Sequence, residues 1–280
     1  MKKILVTGAT GQLGSELSIL APDYSQYEWI FADRTKATLD NLELLQSQLE
    51  VINPDVIFNC GAYTAVDKAE TEKELAFTIN HLAVELIAKY AFKNSIKLIH
   101  ISTDYVFDGS SSVALDEEVK TNPINVYGES KLAGEIACLK ENPNSIIIRT
   151  SWVYSKFGNN FVKTMQRLMQ ERSEINVVND QVGSPTYAAD LAQAMIDIIN
   201  SNWVSGIYNY SNEGEISWYE FALSIKEFGK YDCKVGGIPS SAYPTPAKRP
   251  SFSLLNKEKI KATYNLDVTD YKKSLEKMFV

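Results

Sequence analysis

The sequence predicts an α/β fold: a doubly wound, Rossmann-like parallel sheet with a smaller C-terminal substrate lobe. Two observations carry this. Short apolar runs alternate with longer amphipathic stretches through the first two thirds of the chain, and a glycine-rich turn joins the first run to the first such stretch.

Each element follows from its local pattern. Lys3–Val6, Trp29–Ala32, Val56–Cys60, Lys97–Ile101 and Ser145–Arg149 are short, near-continuous apolar runs, as expected of strands covered on both faces. Between them, Gln12–Leu20, Leu42–Val51, Glu70–Phe92 and Val126–Leu139 carry helical periodicity. In the third, Leu75, Ile79, Leu82, Leu86 and Ile87 recur at helical spacing. Parallel strands need crossover connections, so helices cover both faces of the sheet. Past Thr150 the rhythm loosens into a helix over Phe161–Glu171, a strand over Ile175–Val178, a helix over Ala188–Ile199 and a strand over Ile207–Tyr210. Lys234–Pro250 is rich in Gly, Pro and Ser and reads as a loop lying over a site. Asp267–Phe279 reads as a closing helix capped by Asp267 or Thr269. The expected division is a dinucleotide-binding domain over 1–150 and a substrate lobe drawn mainly from 151–280, with some later segments returning to the sheet.

Composition excludes several classes. A chain of 280 residues with 45% hydrophobic and 22% charged residues can bury a substantial core and is not disordered. A net charge of −7 without any run of Lys and Arg argues against nucleic acid as a partner. Three cysteines (Cys60, Cys138, Cys233), odd in number and without a CxxC, point away from a disulfide framework and toward a reducing compartment. With only His81 and His100 as imidazoles, a zinc site is not expected. The apolar run after Met1-Lys2-Lys3 stops at Thr7, too short for a signal-peptide core or a membrane span. A cytoplasmic location without membrane contact is the expectation.

Gly8-Ala-Thr-Gly11-Gln-Leu-Gly14 follows the first strand and opens the first helix. Glycines there let the backbone turn tightly and approach a pyrophosphate, which the free amides and the positive helix end receive. Gly8, Thr10, Gly11, Gln12, Leu13 and Gly14 are therefore candidate cofactor contacts. Asp33 ends the second strand, where a carboxylate bonds ribose hydroxyls; Arg34 beside it suits a 2′-phosphate. The pair leaves NADH and NADPH both open, with the reach of Arg34 tilting the reading to NADPH.

Tyr127 and Lys131 stand four residues apart, on one face of a helix, and Tyr127 is the only tyrosine with a lysine at that spacing. A nearby cation favours the ionised phenol, so Tyr127 is expected to titrate below its ordinary range and exchange a proton with a carbonyl oxygen. Lys131 also suits hydrogen bonding to a nicotinamide ribose. The fourth strand ends in Ser102-Thr103-Asp104-Tyr105, at the carboxyl edge where ligands gather in parallel sheets. A hydroxyl there completes a hydroxyl–Tyr–Lys set.

These motifs, together with Asn59–Glu70 (NCGAYTAVDKAE), Ser102–Gly109 (STDYVFDG), Val126–Lys131 (VYGESK), Arg149–Tyr154 (RTSWVY), Gly183–Thr186 (GSPT) and Arg249-Pro250, occur in an order that resembles the dTDP-4-dehydrorhamnose reductases of the extended short-chain dehydrogenase/reductase family. The likeness covers nearly the whole chain. It implies hydride transfer from NAD(P)H to C4 of a dTDP-4-keto-6-deoxy sugar, with Tyr127 protonating the alkoxide and Thr103 holding the oxygen. It extends the cofactor site to Asp40, Gly61, Ala62 and Tyr63. It places Thr64, Val66, Asp104, Tyr105 and Trp152 against the sugar nucleotide and Arg249 near its diphosphate, while Trp152 equally suits the core.

Some relatives are Mg²⁺-linked dimers. Here Glu16 and Asp190 match two of the acidic positions, but Ala189 replaces a third, so no essential metal is expected, while a homodimer remains open. Sugar-nucleotide dehydratases carry Asp-Glu after the strand-four threonine, whereas this chain has Asp104-Tyr105 and lacks the second carboxylate. A sugar-nucleotide 4-epimerase and a non-catalytic nucleotide-binding regulatory subunit of the same fold are the competing readings.

Overall fold

A computed structural model describes Met1–Phe279. Its elements in chain order are β1 (Lys2–Thr7), α1 (Gln12–Leu20), β2 (Tyr27–Ala32), α2 (Leu42–Ile52), β3 (Val56–Asn59), α3 (Val66–Ala69), α4 (Lys73–Phe77), α5 (Ala83–Lys93), β4 (Lys97–Thr103), α6 (Val126–Glu141) and β5 (Ile146–Thr150). Then come β6 (Val153–Tyr154), α7 (Phe161–Glu171), β7 (Glu174–Val178), β8 (Val182–Gly183), β9 (Thr186–Tyr187), α8 (Ala188–Asn200) and β10 (Gly206–Tyr210). The chain finishes with β11 (Ile216–Ser217), α9 (Trp218–Gly229), β12 (Lys234–Ile238), α10 (Glu258–Tyr264) and α11 (Tyr271–Glu276).

Six strands form one sheet in the order β10-β5-β4-β3-β1-β2, every neighbouring pair parallel. Successive side chains on a strand point to opposite faces, and the sheet shows this directly. Ile4, Val6, Phe58, Ile99, Ile146 and Ile148 pack with Leu13 and Leu17 of α1 and Leu191 and Met195 of α8. Leu5, Ile57, Leu98 and Ile147 pack on the other face with Leu45 and Leu49 of α2, Val84 and Ile87 of α5 and Cys138 of α6. Helices thus cover both faces, and the strand order reverses between β1 and β3, where doubly wound sheets open a crevice for ligands.

Beyond Thr150 the chain serves two structures. β10 and α8 join the main sheet and its cover. A separate core gathers α7, α9, α11 and β7 around Val162, Met165, Phe221 and Leu275. No helix among the described residues is long and apolar enough to cross a membrane.

Three expectations are corrected. Glu70–Phe92 is helical from Lys73 onward but not uniformly α-helical: α4 and α5 run into one another through a π-helical turn over Thr78–Leu82. Asn80 in that turn accepts from Tyr63 N–H (2.9 Å) and donates to Tyr63 O and Ser130 Oγ (both 3.0 Å). A tertiary polar contact of this kind overrides local periodicity, and such turns concentrate at functional sites. Lys234–Ile238, within the expected loop, is a strand parallel to β7. The closing helix is capped by neither Asp267 nor Thr269 but by Asp270, whose carboxylate accepts from Lys272 N–H at 2.9 Å. Helices α9 and α10 were not anticipated, because the loosened pattern past Thr150 hid them.

Candidate active site

The glycine turn has the shape its sequence requires. Gly8 adopts φ +66°, and a Cβ there would meet Gly61 Cα and N at 2.7 Å. A Cβ on Gly14 would lie 2.4 Å from Gly8 O, and Gly11 N–H donates to that same carbonyl at 2.9 Å. The turn therefore closes only with glycines, leaving Thr10 and Gly11 exposed at the start of α1. Leu13 is buried beneath it; Gln12 donates to Val153 O (3.3 Å) and accepts from Asn160 Nδ2 (3.0 Å). A cradle of backbone amides with no side chain filling it fits a pyrophosphate.

At the end of β2, Asp33 accepts from Thr35 N–H (2.9 Å) and Thr35 Oγ1 (2.6 Å), which lowers its carboxyl below the usual range. Arg34 and Asp40 are exposed. Ala9 N–H donates to Ala32 O (3.2 Å) and so brings this strand end beside the glycine turn. Gly61, Ala62 and Tyr63 follow β3; Gly61 N–H donates to Thr7 Oγ1 (3.1 Å), and Tyr63 OH donates to Glu72 (2.6 Å).

Asn125 caps α6 by accepting from Gly128 N–H (2.8 Å) and donates to Lys248 O (2.7 Å), so one amide starts the helix and pins the C-terminal segment over it. Gly128 is required there, since a Cβ would stand 2.2 Å from Tyr105 O. The result seats Tyr127 against Tyr63, Val66 and Tyr105. The Tyr105 and Tyr127 rings meet edge to face at 5.5 Å. Thr64, on the same loop, is exposed.

The electrostatics differ from expectation. Burial pushes the Tyr127 phenol up to about 12, with the neighbouring Thr103 hydroxyl opposing and the Asp104 carboxylate adding. Lys131 does not lower it, because its Nζ donates instead to Ile101 O at 2.6 Å and lies 3.5 Å from His100 Nε2. Burial brings Lys131 down to about 8, with Glu135, Cys138 and Cys60 opposing. Tyr127 thus holds its proton at neutral pH, the state needed to give one away.

Asp104 is buried; Thr103 Oγ1 donates to its Oδ1 (3.0 Å), and its Oδ2 has no partner of ordinary geometry. Burial raises its carboxyl from 3.8 to about 6, against the hydroxyls of Ser253 and Thr103. A folded value above the unfolded one means that ionisation opposes folding. The cost is absent below about pH 4 and complete above about pH 6. Asp104→Asn is expected to stabilise the protein by roughly 2 kcal/mol at pH 8 and to leave it nearly unchanged at pH 4. Urea unfolding at the two pH values reads this, and equal effects at both would remove ionisation as the cause.

Trp152 lies in the left-handed region (φ +48°) and stacks on Trp218 with ring centroids 3.7 Å apart. A Cβ on Gly183 would touch both the Trp152 ring (3.0 Å) and Ser253 Oγ (2.9 Å), so the indole sits close to Ser253, one of the two hydroxyl partners of Asp104. Arg249 forms a fork with Asp67 (Nη1–Oδ1 3.0 Å, Nη2–Oδ2 2.8 Å). Its guanidinium is therefore held by a carboxylate that the sequence reading did not consider.

Glu16 accepts from Ser155 Oγ (2.6 Å), while Asp190 takes Asn212 Nδ2 and Lys277 Nζ (both 2.8 Å) and Ser274 Oγ. Among the described residues no three His, Cys, Asp or Glu side chains gather as a metal site.

Tyr127, Tyr105, Thr103, Asp104 and Val66 converge past the ends of β3 and β4, with the glycine cradle at β1. Sequence reasoning missed Asn80, His100, Asn125 and Trp218; only Asn125 carried a local signal, as a capping residue before a helical run.

A family model described as the RmlD substrate binding domain matches residues 1–280. The chain belongs to the dTDP-4-dehydrorhamnose reductase family. Within it, the Escherichia coli K12 dTDP-4-dehydrorhamnose reductase is 42% identical over 98% of this chain and 96% of its own. The Aggregatibacter actinomycetemcomitans reductase is 38% identical over 99% and 98%. The crystal structure of the Bacillus anthracis dTDP-4-dehydrorhamnose reductase in complex with NADP superposes with TM-score 0.95 at 38% identity, covering 99% of this chain and 98% of that one. The family's sheet and helical cover are those described above.

Proposed function

We propose that the protein reduces the C4 ketone of dTDP-4-dehydro-L-rhamnose to dTDP-L-rhamnose with NADPH or NADH. The observation that carries this reading is the buried, protonated Tyr127 phenol beside Thr103, at the ligand edge of a sheet whose first turn is an open phosphate cradle. A nicotinamide nucleotide, when bound, supplies the hydride. Tyr127 holds the proton that the resulting C4 alkoxide takes. The Thr103 hydroxyl orients that oxygen, and Lys131 offers its N–H donors to the nicotinamide ribose.

Gly8, Thr10, Gly11, Gln12, Leu13 and Gly14 receive the pyrophosphate, while Asp33, Arg34 and Asp40 meet the adenosine end. Gly61, Ala62 and Tyr63 line the nicotinamide side. Thr64, Val66, Asp104, Tyr105 and Trp152 hold the sugar nucleotide, and Arg249 leaves Asp67 for the diphosphate, a better bidentate partner by charge. In this division residues 1–150, with β10 and α8, serve the dinucleotide, and the rest of 151–280 mainly serves the substrate. A homodimer, a cytoplasmic setting and no essential metal complete the proposal.

The test follows loss of NADPH and NADH absorbance in parallel with dTDP-4-dehydro-L-rhamnose and identifies the product sugar. Stoichiometric dTDP-L-rhamnose is expected. Interconversion of dTDP-L-rhamnose with its C4 epimer without net nucleotide oxidation would move the reading to an epimerase, and no conversion of either sugar with tight nucleotide binding to a regulatory subunit.

A further inference from the structure

A row of polar side chains crosses the sheet next to the apolar Leu5, Ile57 and Leu98 on the same face. Thr7, Asn59 and His100 are register partners on β1, β3 and β4, and each is 0–1% exposed. Gly61 N–H donates to Thr7 Oγ1 (3.1 Å), and Thr7 Oγ1 donates to Asn59 Oδ1 (2.7 Å). Asn59 Nδ2 lies 3.0 Å from His100 Nδ1, and His100 Nε2 lies 3.5 Å from Lys131 Nζ.

One assignment of protons satisfies the whole row. A threonine hydroxyl has a single proton, and Asn59 Oδ1 is the acceptor it meets among the described residues. Asn59 then presents its NH₂ to Nδ1, which must be unprotonated. A neutral imidazole in that position carries its proton on Nε2, aimed at Lys131.

We propose that His100 is a positioning residue that sets the protonation of Lys131: locked as the Nε2–H tautomer through Thr7 and Asn59, it offers the lysine a donor in place of a lone pair and so favours the neutral amine. An ammonium has three donors and no acceptor, and it gains nothing from a facing N–H; an amine accepts it while still donating to Ile101 O (2.6 Å). The row also ties the Gly61 turn, at the proposed nicotinamide side, to the helix bearing Tyr127.

The other groups around Lys131 are Glu135 and Cys138 on α6 and Cys60 past β3, all of which favour its charge; burial opposes them and prevails. Burial and Lys131 keep His100 itself neutral, against the Asn59 main-chain carbonyl beside the ring. That carbonyl is the acceptor to which an Nδ1–H tautomer would turn, so the choice between tautomers depends on Thr7. The inference rests on Lys131 belonging to the proposed reducing site.

The test is ¹⁵N-histidine NMR of the nucleotide-free protein, with His81 identified through His81→Gln, alongside titration of the Lys131 ¹³Cε signal. His100 is expected to be neutral and Nε2-protonated from about pH 5.5 to about pH 9. Thr7→Val frees the Asn59 amide to turn, and should shift His100 toward the Nδ1–H tautomer and raise the Lys131 midpoint by about one pH unit. An imidazolium or Nδ1–H signal in the unaltered protein overturns the proposal, as does a Thr7→Val variant with tautomer and lysine titration unchanged. Should that variant not fold, the tautomer of the unaltered protein decides. NADPH turnover measured in parallel separates the two readings. Turnover with the wrong tautomer removes this inference alone, whereas the expected tautomer and lysine shift without turnover remove the reduction and leave the proton row standing.

Discussion

Replacing Tyr127 with phenylalanine is expected to lower turnover by roughly 10²–10⁴-fold, the usual worth of a positioned proton donor, while nucleotide binding is retained. The ring stays in its contacts with Tyr63, Val66 and Tyr105, and only the hydroxyl is lost, so the fold and the glycine cradle are undisturbed. The phenol is pushed up to about 12 by burial, so in the free enzyme its loss of proton does not limit the rate near neutrality. The pH profile of kcat/KM for the unaltered protein, which reports the free enzyme, should therefore show no tyrosine-like basic limb below about pH 9. Single-turnover kinetics with NADPH, together with nucleotide titration, check this. Near-normal turnover in the phenylalanine variant would take Tyr127 out of the chemistry.

The largest expected effect on stability comes from Arg149→Met. Arg149 and Glu135 have side chains only 3% and 2% exposed and meet through Nη2–Oε2 at 2.7 Å and Nε–Oε1 at 3.0 Å. Ser102 Oγ also donates to Glu135, Arg149 Nη1 reaches Glu117 O (3.3 Å), and the guanidinium stacks over Phe107 at 5.1 Å. Removing the arginine strands a buried carboxylate, which costs about 3–5 kcal/mol. Removing both partners, as in Arg149→Met with Glu135→Leu, leaves no lone charge and should recover most of that loss. Urea unfolding of the single and double variants measures the difference, and a double variant as unstable as the single one would refute the stranded-charge account. Because Glu135 favours the charged form of Lys131, the double variant should also titrate that lysine lower.

The two features most legible in the sequence were the ones that depend on local constraints. The strands were visible because a sheet covered on both faces needs unbroken apolar runs such as Ile4–Val6 and Ile146–Ile148. The glycine turn was visible because no other residue tolerates the approach of Gly8 to Gly61 or of Gly14 to Gly8 O. The spacing of Tyr127 and Lys131 correctly put both on one helix. It did not reveal that Lys131 reaches across to His100 and Ile101 O, since those partners lie on a strand some thirty residues earlier.

What the sequence determined by itself, then, was the alternation that makes a doubly wound sheet, the anion-binding turn at its first strand and the identity of the groups on α6. Tertiary structure alone decided their chemical state. Folding buries Tyr127 and keeps it protonated, draws Lys131 toward His100, pairs Arg249 with Asp67 and puts a π-helical turn into the expected long helix at Asn80. The physical reason is that periodicity reports which face of an element is covered, whereas proton affinities and polar pairings depend on desolvation and on partners that only the assembled chain brings within reach.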